Sequence, residues 1–123
     1  MNSDQRDLSI VIVGASGDLA RRKIFPALFA LYCQGYLPAR CRVFGFARSA
    51  FSDAAFRDAI AQNLTCRYVP GESCAERMEE FLARCHYVSG SYAESDAFLD
   101  LFQTMREYET GPRTDRLFYL AIP

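Results

Sequence analysis

The stretch LSIVIVGASGDLARRKIFPALFALY, residues 8–32, decides the fold of this chain. It starts with an aliphatic run that is typical of a strand buried on both faces of a parallel sheet. Gly14 ends this run, and apolar residues then recur at helical spacing. The pattern predicts a strand, a glycine-rich turn and a helix that begins near Asp18 and ends before Gly35. Pro26 has no N–H, so we expect a kink or an irregular turn early in this helix.

The same alternation continues along the rest of the chain. Strand-like apolar runs occur at 43–46, 86–88 and 117–122, with helical patterns between them. Strands that alternate with helices predict parallel pairing, right-handed crossovers and helices on both faces of the sheet. The predicted fold class is therefore α/β, with a doubly wound parallel sheet that is truncated after the fourth strand. We expect residues 1–7 to be a disordered N-terminus and residues 8–123 to form one incomplete domain.

Capping signals mark the starts of three helices. Ser52 precedes Asp53 and a helical pattern, so its hydroxyl is the predicted N-cap of the second helix. The segments 73–76 and 91–94 both have the form Ser-x-x-Glu. They predict capping boxes for the third and fourth helices.

The composition is that of an ordinary globular domain. The 123 residues are 50% hydrophobic and include ten Phe and seven Tyr, which is enough for one core and argues against disorder. A net charge of −1 gives no electrostatic attraction for nucleic acid, and no apolar run has the length of a membrane span. We therefore expect no nucleic-acid partner and no membrane partner. The five cysteines include no CxxC pair, so we expect no metal site.

The turn after the first strand has the composition of a mononucleotide-binding turn. Gly14 permits a sharp exit from the strand, and Gly17 has no Cβ, so a pyrophosphate can approach the backbone. Free N–H groups at the start of the next helix attract the same anion, and Ser16 adds a hydroxyl donor. Ala20 is the third small residue, where the helix packs closely on the sheet. The alternative is a structural turn without a ligand.

The end of the second strand bears on the choice of coenzyme. Dinucleotide sites that prefer NAD carry an acidic residue there, which binds the ribose hydroxyls. Here the strand ends in GFARS, residues 45–49, without an acid. An arginine and a short hydroxyl donor, Arg48 and Ser49, suit a 2′-phosphate, so the sequence favours NADP as the cofactor. The alternative is that Arg48 is a solvated residue before the next helix.

Three motifs in this order resemble the coenzyme domain of glucose-6-phosphate dehydrogenases. They are GASGDLARRKIFPALFALY at 14–32, FGFARS at 44–49 and DRLFYLAIP at 115–123. The segment 64–90 is similar to the plastid-type branch of that family. The resemblance implies that residues 8–123 are an NADP-binding domain of a longer enzyme. That enzyme would transfer a hydride from C1 of glucose 6-phosphate to NADP and give 6-phosphogluconolactone, the first oxidative step of the pentose phosphate pathway.

The resemblance also implies roles for individual residues. It places these residues at the coenzyme: Gly14, Ser16, Gly17, Asp18, Leu19, Arg48, Ser49 and Tyr92. Within this set Arg48 and Ser49 would meet the 2′-phosphate, and Tyr92 would lie near the adenosine ribose. Lys23 would point toward the substrate, and Ala121 and Pro123 would lie beside the nicotinamide half.

The catalytic histidine segment of that family, RIDHYLGKE, does not occur in this chain. His86 opens the third predicted strand, and we do not expect it to act as the base. We therefore expect no catalytic residue here and no activity from residues 1–123 alone. The alternatives are a non-catalytic NADP-binding paralogue or splice product that acts as a partner subunit, and a different NADP oxidoreductase.

Cys66 and Cys74 flank a segment that contains a Pro-Gly turn signal. From the residues alone, two unrelated loop thiols are an equal alternative. In plastid-type relatives a cysteine pair in the matching loop is a site of redox control by thioredoxin. The resemblance thus implies a regulatory disulfide, which would stabilise the fold by about 2–3 kcal/mol, and thioredoxin as a partner. The other cysteines are expected to be packing residues: Cys33, Cys41 and Cys85.

The resemblance further implies a homo-oligomer for the full-length protein and the plastid stroma as its location. We expect no transit peptide within this chain. Residues 1–7 are polar and have no hydrophobic signal region, so we also expect no secretion. A cytoplasmic location is the alternative.

Overall fold

The computed structural model describes residues 6–67, 69 and 73–122. Its strands are β1 (Arg6–Val13), β2 (Cys41–Ala47), β3 (Cys85–Ser89) and β4 (Arg113–Leu120). Its helices are α1 (Phe25–Cys33), α2 (Asp53–Ala61), α3 (Cys74–Ala83) and α4 (Ser95–Tyr108), and a π-helical turn (Ala20–Ile24) leads into α1. All strand pairs are parallel, in the order β3-β2-β1-β4. The predicted α/β class is confirmed.

Helices cover both faces of the sheet. In β1, Ile10 and Ile12 point into a core shared with α1, α2 and α3, whereas Val11 and Val13 point into a second core against α4. This alternation explains the continuous aliphatic run, because both faces of the strand are buried. No helix within residues 6–67 and 73–122 is long and apolar enough to cross a membrane.

β4 is the edge strand next to β1. It pairs with β1 from Arg113 to Leu120, yet the four side chains of residues 117–120 are each 46% or more exposed. A strand with this aliphatic and aromatic composition is ordinarily covered. β4 therefore presents apolar surface at one edge of the described sheet.

The irregular turn that Pro26 predicts is confirmed. The N–H of Phe25 donates to the carbonyl of Ala20, five residues earlier, which makes the turn π-helical. Pro26 is the second residue of α1, and its missing N–H falls where the π-helical turn already interrupts the regular hydrogen-bond pattern. The chain thus enters α1 through a widened turn and continues as a regular helix.

The prediction that residues 1–7 form a disordered N-terminus is wrong for two residues, Arg6 and Asp7. β1 begins at Arg6, and Asp7 is only 1% exposed, so these two residues are part of the sheet and not of a disordered segment. The physical reason is an ionic network around Asp7. Its carboxylate accepts hydrogen bonds from Arg40, from Arg42 and from the N–H of Gly111. Residues 1–5 lie outside the described part of the chain.

One predicted cap is confirmed and two capping boxes are wrong. The Ser52 hydroxyl accepts from the N–H of Ala55 at 3.1 Å. Ser73 precedes α3, but its backbone is not extended and its side chain makes no cap hydrogen bond. Ser91 closes a turn of its own, in which its hydroxyl accepts from Ala93, so α4 begins later, after Glu94.

Candidate functional site

An open cleft of about 710 Å³ lies at the carboxyl ends of β1, β2 and β4. The chain leaves β1 toward β2 on one side, and β4 returns to the other side of β1. Doubly wound sheets bind their ligands at such a reversal of strand order. The cleft is lined by Gly14, Ser16, Gly17, Arg48, Ser49, Tyr92, Ala121 and Ile122.

The glycine turn forms one wall of the cleft. Gly14 has φ +89°, and a Cβ there would lie 2.8 Å from the carbonyl oxygen of Ala121, so the fold itself requires this glycine. A Cβ on Gly17 would meet only the Gly14 carbonyl, at 3.4 Å. Packing therefore leaves room for a side chain at Gly17, and the glycine there keeps the wall of the cleft open.

A helix begins at Asp18, directly after the turn. The first N–H groups of a helix have no partner within it, so they are available to an anion in the cleft. The carboxylate of Asp18 accepts a hydrogen bond from Arg21 at 2.8 Å. This ion pair neutralises the carboxylate, which does not line the cleft. Three residues predicted for the site are exposed and do not line the cleft: Asp18, Leu19 and Lys23. Their proposed roles rest on the sequence.

Arg48 and Ser49 form the opposite wall, where β2 ends. Arg48 is exposed, and its guanidinium makes no ion pair with any residue in the described ranges. The Ser49 hydroxyl lies 3.4 Å from that of Ser16, so the two walls meet through a pair of hydroxyl groups. An exposed cation and two hydroxyls at one cleft suit a phosphate group.

The backbone of this wall is held by β3. The Tyr87 hydroxyl donates to the carbonyl of Ser49, and the Ser89 hydroxyl donates to the carbonyl of Arg48 at 3.4 Å. Burial raises the pKa of Tyr87 to about 12, so its hydroxyl keeps its proton at neutral pH. Tyr87 was predicted only as part of a strand. No sequence signal linked it to Ser49, which lies 38 positions away along the chain.

His86 lies in β3 and does not line the cleft. Its ring stacks on Tyr108 at 4.2 Å and lies 3.6 Å from the carboxylate of Asp53. Burial lowers the pKa of His86, and the nearby Asp53 only partly opposes this effect. No group of three or more His, Cys, Asp or Glu side chains within the described ranges could hold a metal ion.

Cys66 and Cys74 form a disulfide, with 5.6 Å between their Cα atoms. It joins the exposed segment after α2 to the first residue of α3. The Pro-Gly signal between them, residues 70–71, lies outside the described part of the chain. The other three cysteines are free, and burial raises the pKa of each of them, that of Cys85 to about 12, as expected for packing residues: Cys33, Cys41 and Cys85.

A family model described as "Glucose-6-phosphate dehydrogenase, NAD binding domain" matches residues 11–123. The chain belongs to the glucose-6-phosphate dehydrogenase family. It is 50% identical over 122 residues to the chloroplastic glucose-6-phosphate 1-dehydrogenase of Nicotiana tabacum, which covers 99% of this chain and 21% of that protein. It is 44% identical to the inactive glucose-6-phosphate 1-dehydrogenase 4, chloroplastic, of Arabidopsis thaliana, over 94% of this chain and 19% of that protein.

The fold is similar to that of a solved glucose-6-phosphate dehydrogenase in complex with its substrate glucose-6-phosphate. The TM-score is 0.88 at 35% identity, over 100% of this chain and 26% of that one. The chain thus spans about a fifth of the length of the curated relatives it matches. The family model describes an NAD binding domain, which agrees with a cleft at the carboxyl ends of the strands.

Proposed function

We propose that this chain is the NADP-binding part of a glucose-6-phosphate dehydrogenase. The observation that carries the proposal is Arg48, an exposed guanidinium without an ion-pair partner among the described residues, at the end of β2. The charge and planar shape of a guanidinium suit a phosphate on the adenosine ribose. Family membership supports the proposal that the cleft binds a dinucleotide. Arg48 supports the proposal that this dinucleotide carries a 2′-phosphate.

The remaining walls of the cleft fit the other parts of a dinucleotide. The turn at Gly14 and Gly17 and the helix that follows would hold the pyrophosphate. Tyr92 would contact the adenosine ribose, and Ala121 would lie beside the nicotinamide half. NADP supplies the hydride acceptor when it is bound. The residues of this chain bind and orient it, and none of them is proposed to move a proton.

The test is coenzyme selectivity of the complete dehydrogenase that carries this domain. Arg48→Ala should weaken NADP by about 1.5–3 kcal/mol, the scale of a charge-assisted hydrogen bond, and leave NAD nearly unchanged. Arg22→Ala is the matched control, because Arg22 is also exposed but does not line the cleft. Steady-state kinetics with both coenzymes give the answer. An equal loss for NADP and NAD would contradict the assignment.

We propose glucose 6-phosphate as the substrate of the complete protein, oxidised at C1 to 6-phosphogluconolactone, with Lys23 on the substrate side of the coenzyme. The second candidate is a non-catalytic NADP-binding partner subunit. It is supported by the similarity to a relative whose name describes it as inactive. Titration with NADP and an assay for NADPH formation separate the two. Tight coenzyme binding by the complete protein without turnover would favour the partner subunit.

We further propose that Cys66 and Cys74 are a redox switch acted on by thioredoxin in the plastid stroma. The disulfide lies at an exposed segment, where a reductant can reach it. Its reduction should change the apparent KM of the complete enzyme more than the chemical step, because the disulfide lies in the coenzyme-binding part and this chain supplies no residue proposed as the base. Thiol trapping with and without thioredoxin, beside a Cys66→Ser variant, tests this. A variant that kept full sensitivity to reductant would contradict it.

We propose a homo-oligomer for the complete protein. The proposal rests on the resemblance to the family. Light scattering of the complete protein gives its mass directly, and a monomer at assay concentration would contradict it.

A further inference from the structure

Tyr87 connects the hydrophobic core to the wall of the cleft. Its ring is buried, with its centroid 4.8 Å from that of Phe56 and 5.4 Å from that of Phe51. Its hydroxyl reaches out of this core and donates to the carbonyl of Ser49. A rigid buried ring thus ends in a hydrogen bond to the backbone of the coenzyme wall.

The packing around the ring leaves it little freedom. A Cβ on Gly45, the residue beside Tyr87 in the sheet, would lie 2.5 Å from the Phe56 ring and 2.8 Å from the Cβ of Ala15. The absence of a side chain there lets Phe56 approach β2, and Tyr87 packs on Phe56. The N–H of Tyr87 also donates to Asp53 at 2.9 Å, so its backbone is fixed to the start of α2.

The segment that receives this hydrogen bond has no regular structure of its own. Residues 48–52 lie between β2 and α2, and residues 48–50 are exposed. The other tie from β3, the Ser89 hydroxyl on the Arg48 carbonyl, is exposed and longer, at 3.4 Å. The hydrogen bond from Tyr87 is therefore the best protected restraint on the position of Arg48 and Ser49.

We propose that Tyr87 is a positioning residue that sets the preference for NADP over NAD. By fixing the carbonyl of Ser49, it holds the Arg48 guanidinium and the Ser49 hydroxyl at the cleft before the coenzyme arrives. The inference rests on the proposed function, in which these two groups meet the 2′-phosphate. NAD has no 2′-phosphate, so its binding gains nothing from this restraint. Tyr87 thus contributes to the selectivity for NADP over NAD without touching the coenzyme.

Tyr87→Phe isolates the hydroxyl. Phenylalanine keeps the ring and its packing on Phe51 and Phe56, and it removes only the donor to Ser49. The expected result in the complete dehydrogenase is a rise of about three- to tenfold in the KM for NADP, the scale of one net hydrogen bond. The KM for NAD and the kcat with NADP should each change by less than about twofold.

Two further variants decide between positioning and general stability. Tyr32→Phe is the matched control, because the Tyr32 hydroxyl also takes part in one hydrogen bond, from Arg84 at 3.3 Å, away from the cleft. It should leave the ratio of the two KM values unchanged. In an Arg48→Ala background, Tyr87→Phe should have no further effect on NADP, because the group that it positions is gone.

The outcomes are distinguishable from a failure of the proposed function. If Arg48→Ala alone weakens NADP and NAD equally, the NADP assignment fails, and the role of Tyr87 fails with it. If Arg48→Ala is selective but Tyr87→Phe raises both KM values equally, or adds its full effect in the Arg48→Ala background, only the role of Tyr87 is overturned. Thermal unfolding of each variant shows whether it is folded at the assay temperature.

Discussion

The two ends of the sheet differ in whether their charged side chains have partners within the chain. At the amino ends of the strands, Asp7 is buried and bound by two arginines and a backbone N–H. Near it, Glu109 accepts hydrogen bonds from Arg116 and Ser9. At the carboxyl ends, Arg48 is exposed and has no ion-pair partner within the described ranges.

This difference separates stability from function. Burial alone would raise the pKa of the Asp7 carboxyl, but its hydrogen bonds, that from Arg40 foremost, hold the pKa below its usual value. The amino end therefore satisfies its charges within the chain. At the carboxyl end, no residue of the described ranges pairs with Arg48, and the proposed 2′-phosphate would supply that partner. A charge without a partner at the end of a strand is thus more informative about function than a well-formed ion pair.

The largest effect on stability should come from Asp7→Asn. The amide keeps the shape of the side chain but not its charge. In either orientation its NH₂ group meets another donor, Arg40 and Arg42 at the Oδ1 position or the N–H of Gly111 at the Oδ2 position. We expect a loss of about 3 kcal/mol in the free energy of unfolding, as for a broken buried ion pair. Urea unfolding of the chain, followed by circular dichroism, measures it.

Asp115→Asn is the matched control for that experiment. The Asp115 carboxylate pairs with Arg6 at 3.4 Å, but both side chains are more than a third exposed. Its loss should cost less than about 1 kcal/mol. If Asp7→Asn and Asp115→Asn lose a similar free energy of unfolding, burial does not determine what these charges contribute to stability.

The next largest effect distinguishes the structural role of Gly14 from the proposed binding role of Gly17. Gly14→Ala places a methyl group against the Ala121 carbonyl at a positive φ, and should cost about 2 kcal/mol of stability. Gly17→Ala should leave stability within about 0.5 kcal/mol, yet reduce coenzyme affinity because the methyl group occupies the wall of the cleft. Urea unfolding and coenzyme titration of both variants test this. A large loss of stability in Gly17→Ala with unchanged affinity would reverse the two roles.

The smallest effect concerns His86 and pH. Its pKa is lowered in the folded chain, so below pH 6.5 the unfolded chain binds more protons at this site. The free energy of unfolding should therefore fall as the pH decreases from 7.5 to 5.5, and this slope should be smaller in His86→Gln. Urea unfolding at four pH values measures both slopes. Equal slopes would show that other groups cause the dependence.

The sequence predicted the fold where local patterns agree with packing. The aliphatic run of β1, the glycine turn after it and the N-cap at Ser52 each show as a pattern in a short continuous stretch of sequence. The two capping boxes were wrong because Ser73 is not in extended backbone and Ser91 is used by a local turn. The N-terminal boundary was wrong because the partners of Asp7 lie more than 30 positions away along the chain.

The site could be predicted only in part for a similar reason. Gly14, Gly17 and Arg48 lie next to strand ends, which a sequence pattern can locate. Tyr87 was not identified as a site residue, because its link to Ser49 joins positions 38 residues apart. Ile122 was also missed as a lining residue, since an apolar residue at the end of a strand has no distinctive signal.

The order of strands has a consequence for how the chain folds. β1 and β2 pair residues 33 positions apart, such as Leu8 with Cys41, whereas β1 and β4 pair residues 107 positions apart, such as Leu8 with Asp115. Closing the longer loop costs about 1 kcal/mol more in chain entropy. We expect β1, β2 and β3 to assemble first and β4 to dock last. The adenosine side of the cleft, with its turn and Arg48, would then exist before Ala121 completes the nicotinamide side.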